Sequence, residues 1–118
     1  MSSPKRFIAT CAHRQKVYAF GGQIEGHGST SSEMLTKKSW IMLPECPIEI
    51  RYGFAGYFNQ HIYMACFDKP QIVKFSPRTQ IYTTLSHEIP SDYKFFIPIK
   101  NILYIWSRIW TSVITRDD

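Results

Sequence analysis

Residues 21–28, GGQIEGHG, come close to the phosphate-binding pattern G-x-x-x-x-G-K-[ST]. In that pattern the lysine neutralises the β- and γ-phosphates and the hydroxyl residue ligates Mg²⁺. Here His27 stands in the lysine position and Gly28 in the hydroxyl position. The fixed cation and the metal ligand are both lost. No helical apolar stripe follows to supply an anion-binding N-terminus. The glycines are therefore read as bending the chain. Cys11 and His13 are the closest pair of metal-type ligands, and on a strand they share one face. No second pair follows at zinc spacing among His27, His61, His87, Cys46 and Cys66. A nucleophile motif of the G-x-S-x-G kind is also missing. The reading is a non-enzymatic chain with no catalytic residue, no metal site and no cofactor.

The elements around these residues are short apolar runs divided by turn residues. Residues 7–12 and 17–21 flank a turn at 13–16. Residues 54–58 and 62–67 flank Asn59 and Gln60, with Asn in a turn position. Residues 71–75 and 80–84 flank Ser76-Pro77, where the fixed proline φ suits a type I turn. Residues 93–99 and 102–106 flank Lys100-Asn101, with residues 34–35, 38–42 and 112–115 as weaker strands. The Ser-rich run 29–32 reads as loop. Aromatic residues make up 15% of the chain, and this favours strands over helices.

The runs recur. Tyr18, Tyr63 and Tyr104 sit in similar segments 45 and 41 residues apart. Trp40 and Tyr82 are 42 apart, Leu43 and Leu85 also 42, and Pro47 and Pro90 43. A repeat of this length holding four antiparallel strands predicts propeller blades. Three blades are expected, at 7–43, 54–85 and an incomplete 93–115, within a single domain 1–118. The fold expected is thus all-β, a partial β-propeller of about two and a half blades, with a β-sandwich as the alternative.

The sequence resembles kelch repeats. Val17-Tyr18 before Gly21-Gly22, then Trp40, Pro47, Arg51 and Gly53, match that family's hydrophobic-Tyr, Gly-Gly, Trp, Pro and Arg-x-Gly pattern. The second unit has Cys66-Phe67 for the double glycine and Tyr82 for the tryptophan. The third has Ser107-Arg108, with Tyr93-Lys94 in place of Arg and Gly. The resemblance implies structural roles for Gly21, Gly22, Trp40 and Tyr82, with the two aromatic rings between blades. It also implies a protein-binding scaffold, of the kind that serves ubiquitin-ligase adaptors or the cytoskeleton. A ring of roughly four to eight blades requires further units or self-association.

Alternating strand directions place the loops at 22–32, 44–52, 67–70, 86–92 and 107–110 on one face. That face is where a rigid scaffold carries recognition. Its candidate partner-binding residues are Glu25, His27, Arg51, Asp68, Lys69 and Arg108. The net charge of +5 admits a second class, a basic β-domain for nucleic acid or another polyanion. The 14 Lys and Arg lie scattered along the chain, as charges that protect sheet edges do. The odd count of 3 cysteines, with no apolar leader in MSSPKRFIAT, points to a reducing, cytoplasmic setting. No apolar run approaches the roughly 20 residues that span a bilayer, and no membrane partner is expected.

Overall fold

A computed structural model describes residues 8–67, 69–88, 95–106 and 111–115, with the backbone alone for residues 86–88, 95 and 111–112. The described elements are all strands: β1 (Ala9–His13), β2 (Lys16–Phe20), β3 (Gln23–Ile24), β4 (His27–Gly28), β5 (Ser32–Leu35), β6 (Trp40–Leu43), β7 (Gly53–Phe58), β8 (His61–Cys66), β9 (Gln71–Phe75), β10 (Tyr82–Glu88), β11 (Phe95–Ile99), β12 (Ile102–Trp106) and β13 (Thr111–Thr115). They form four antiparallel sheets, ordered β1-β2-β5-β6, β10-β9-β8-β7, β11-β12-β13 and the small hairpin β3-β4. No helix is long and apolar enough to cross a membrane among the described residues.

Hairpin turns set the registers. Arg14 and Gln15 have φ of 50° and 64°, and Asn59 and Gln60 repeat those values. Two consecutive left-handed residues are the type I′ arrangement, whose twist matches that of the strands it joins. In the first sheet Tyr18 lies opposite Cys11 and Met34, and Phe20 opposite Ala9 and Ser32. In this sheet two details differ from the sequence reading. Ser32 belongs to β5, buried and paired to Phe20 and Leu43, because the ladder continues back into the serine run. The strand expected over 38–42 begins at Trp40, because Thr36–Ser39 closes as a turn with the Thr36 N–H donating to Ser39 O at 2.9 Å.

The three larger sheets stack in series around two cores. Between the first and second lie Ala9, Tyr18, Phe20, Leu43, Ile50, Ile62, Met64, Val73 and Phe75. Between the second and third lie Phe58, Tyr63, Ala65, Ile72, Leu103, Ile105 and Ile114. The alternation of side chains along β8 explains both: Ile62 and Met64 face one neighbour, Tyr63 and Ala65 the other. A strand covered on both faces reads as one unbroken apolar run, as residues 62–66 do. Each large side chain so buried contributes on the order of 1.5–3 kcal/mol. The first strands of the sheets, β1, β7 and β11, lie side by side. Small residues permit this approach: a Cβ on Gly53 would meet Ala9 Cβ at 2.7 Å, and one on Gly56 would meet Phe96 Cβ at 2.7 Å.

Candidate functional site

The Gly-rich stretch that raised the nucleotide question forms a braced platform. Gly21, with φ of 64°, turns the chain out of β2. Its N–H donates to Ser31 O at 2.8 Å, and the Gly22 N–H donates to Ile50 O at 2.7 Å. A Cβ at Gly21 would stand 2.5 Å from Ile50 Cβ and 2.9 Å from the carbonyl oxygens of Ile50 and Ser29. Only glycine suits both the close approach and the left-handed backbone. The strap joining the first two sheets is bonded to this loop along its length. Cys46 N–H donates to Thr30 O at 2.8 Å, and Ile50 N–H to Ser29 O at 3.1 Å. Ile50 itself is fully buried and pins the strap to the core.

Residues 22–32 are therefore not plain loop. They rise into the β3-β4 hairpin, with Gln23 opposite Gly28 and Ile24 opposite His27. Glu25 and Gly26 form its tip, both with positive φ, and Glu25 and His27 are exposed. Arg51 is half-buried beside this hairpin. Gly28 leaves room for it: a Cβ there would meet Arg51 Cγ at 3.0 Å and Glu49 Oε2 at 3.0 Å. The Arg51 Nε is buried without a hydrogen-bond partner. The adjoining loop is tied in by the Phe67 N–H donating to Tyr52 O at 3.2 Å, with the two rings edge to face at 6.4 Å. Lys69 follows, partly buried. Glu25, His27, Arg51 and Lys69 thus share one edge of the sheets. Asp68 and Arg108 lie outside the described residues.

The two aromatic residues of the repeat occupy different settings. Tyr82 sits between the first and second sheets, its ring 4.8 Å from Phe75 and 6.4 Å from Phe20. Its hydroxyl donates to Pro44 O at 2.7 Å. Burial pushes this phenol up to about 12, and burial also pushes the Cys46 thiol nearby up to about 11. Trp40 is half-buried on the opposite face of the first sheet, paired across the ladder with Leu35. None of the three cysteines forms a disulfide. Among the described residues no three His, Cys, Asp or Glu side chains come together to hold a metal.

The opposite edge of the sheets holds a cleft of about 640 Å³ that the sequence did not announce. It opens between the β1-β2, β7-β8 and β9-β10 turns and is lined by His13, Arg14, Lys16, Tyr57, His61 and Arg78, among others. His13 stacks on Tyr57 with ring centroids 3.6 Å apart and planes 11° apart. Burial, with Arg14 beside it, holds His13 below the usual imidazole value. Its Nε2 is buried without a hydrogen-bond partner. His61 Nδ1 donates to Asn59 O at 2.9 Å, which fixes that tautomer, since a carbonyl only accepts. The one sequence signal was the cation in two of those turns, Arg14 and Arg78. Those turns lie far apart in the chain, and only the fold brings them together.

No family model matches the chain, and no curated protein matches it. It is similar to the solved structure of YjhT, with a TM-score of 0.69 at 14% identity over 87% of this chain. The chain spans 33% of that structure's length. At this identity the likeness concerns the fold.

Proposed function

We propose that this chain is a non-enzymatic protein-interaction scaffold, a kelch-like run of propeller blades that binds a partner protein through the platform edge. The observation that carries this reading is the bracing of the Gly-rich hairpin by the strap at Ile50. A surface loop bonded along its length to a second loop, and anchored by a fully buried Ile50, presents its tip with little ordering cost on binding. Glu25 and His27 supply the exposed polar contacts at that tip, and Arg51 a guanidinium with an unused donor. The serial stacking of sheets, with β1, β7 and β11 side by side, supports blades around an axis.

Site-specific photocrosslinking separates the edges. A photoreactive residue at Glu25 or His27 is expected to capture one discrete protein in cell extract, and the same residue at Lys37, in the β5-β6 turn, is expected not to. Arg51→Ala should weaken that capture while the far-ultraviolet dichroism is kept. Equal capture from both edges would remove the platform as the binding surface.

A further inference from the structure

The basic residues look scattered in sequence, and the fold gathers five of them on one edge. Strand alternation sends the turns of the first two sheets to one edge and their loops to the other. The turns at residues 13–16, 36–39, 59–61 and 76–80 carry Arg14, Lys16, Lys37, Lys38 and Arg78 and no Asp or Glu. The described loops at the other edge mix Glu25, Glu45 and Glu49 with Arg51 and Lys69. The cleft of about 640 Å³ opens on the basic edge, and no carboxylate lines it among the described residues. Three of the five cations, Arg14, Lys16 and Arg78, line it.

We propose that this cleft binds a phosphate monoester. Such a group carries close to two negative charges and three strong acceptor oxygens at neutral pH. Two guanidinium forks and one ammonium offer matching donors, and a guanidinium engages phosphate oxygens in pairs. The cations sit on built supports. Arg14 is carried by a two-residue turn with both φ values positive. The Arg78 turn is closed by Gln80 N–H donating to Ser76 O at 2.7 Å, by Ser76 N–H donating to Ile81 O at 3.0 Å, and by Thr79 N–H to Ser76 Oγ at 3.3 Å. The stacked His13 and Tyr57 rings form a rigid wall, and the His13 Nε2 is an unused polar atom within it. The volume lies in the range of small-ligand sites, roughly 300–1,000 Å³. This site lies on the edge opposite the platform and stands independently of the protein-scaffold reading.

The monoester has two sources: a small phosphorylated molecule, or a phosphorylated side chain of a partner. Calorimetric titration with phenyl phosphate, with a phosphoserine peptide and with its unphosphorylated form distinguishes them. Saturable binding of phenyl phosphate is expected. Binding of the phosphopeptide at least about tenfold tighter, with none by the unphosphorylated peptide, assigns the site to a protein-borne phosphate; equal or weaker phosphopeptide binding assigns it to small molecules. Arg14→Gln combined with Arg78→Gln should weaken phosphate binding about tenfold or more. Lys37→Gln combined with Lys38→Gln, on the same edge but outside the cleft lining, should change it less than about twofold. The Arg→Lys pair should fold equally well and recover part of the affinity. No saturable binding of either phosphate probe would overturn the proposal. So would an oligothymidylate that binds more tightly than both, with steep salt dependence and equal sensitivity to both variant pairs; that result would mark a diffuse polyanion surface.

Discussion

At the scale of single residues, the Gly21–Ile50 contact decides whether the platform exists. Gly21→Ala combines a left-handed backbone with a Cβ 2.5 Å from Ile50 Cβ, and neither neighbour is a flexible side-chain end. The expected loss is about 2–4 kcal/mol, read from urea unfolding midpoints. Gly26→Ala is the matched control: it also has positive φ, but a Cβ there meets nothing within 4 Å. Its smaller loss, about 1 kcal/mol, isolates the close approach. A second residue-scale expectation concerns alkali. Tyr82 and Cys46 are neutral when protonated, and burial lifts them from 10.0 to about 12 and from 9.0 to about 11. The folded chain therefore holds these protons more tightly than the unfolded chain. Their contribution to stability is whole below about pH 9 and is lost as pH rises through about 11 and 12. Tyr82→Phe should cost about 1 kcal/mol at neutral pH through the lost bond to Pro44 O. It should also flatten the alkaline decline between pH 10 and 12, and an unchanged decline would show that the ring does not titrate from a buried setting.

At the scale of elements, turn chemistry governs. Asn59 suits a left-handed position, but Gln60, with φ of 64°, does not. Gln60→Gly supplies the Asn-Gly pair that type I′ turns favour and should raise stability by about 0.5–1 kcal/mol in a thermal melt. A destabilised variant would mean that the Gln60 side chain makes contacts worth more than the backbone relief. The strands themselves were legible: β9 and β12 fall where the apolar runs at 71–75 and 102–106 place them, because turn residues bound each run sharply. The β3-β4 hairpin was not, because two-residue strands such as Gln23–Ile24 have no room for an alternating pattern. β10 extends to Glu88, past the expected 84, because its ladder shifts register between Thr84 and Glu88 and then resumes. For the same reason the platform was legible as loop residues while its bracing was not: hydrogen bonds such as Gly22 N–H to Ile50 O join segments with no shared pattern. The basic cleft was hidden more completely, since the β1-β2 and β9-β10 turns contribute only one or two ordinary surface cations each.

At the scale of the molecule, the outer faces of the first and third sheets have packed equivalents inside the same chain. The second sheet packs on the first through Ile62, Met64, Val73, Phe75 and Tyr82. Aligned on the repeated tyrosines, Ile62 corresponds to Val17 and Met64 to Ala19, and Tyr82 to Trp40. By register those residues lie together on the outer face of the first sheet, with Leu35, with the buried Glu33 and with Met42, which is 59% exposed. At the other end, Leu103 and Ile105 face the second sheet, so alternation turns Tyr104 and its cross-strand neighbours Ile97 and Val113 outward. Trp106 on that face is 48% exposed and Ile99 53%. The outer face of the third sheet therefore matches, by register, the side of each earlier sheet that packs on the next, and the surface suited to it is of the first-sheet type. A second copy supplies such a surface. An association of this kind would be head to tail and would add further copies unless its rotation closed a ring. Sedimentation should show mass rising with concentration for the chain, while Trp106→Lys or Met42→Lys, each breaking one half of the contact, should hold it at 13.8 kDa. Mixing the two variants should restore dimers but no larger species, because each retains the half the other lacks; a chain that stays monomeric at every concentration would leave both faces without this partner.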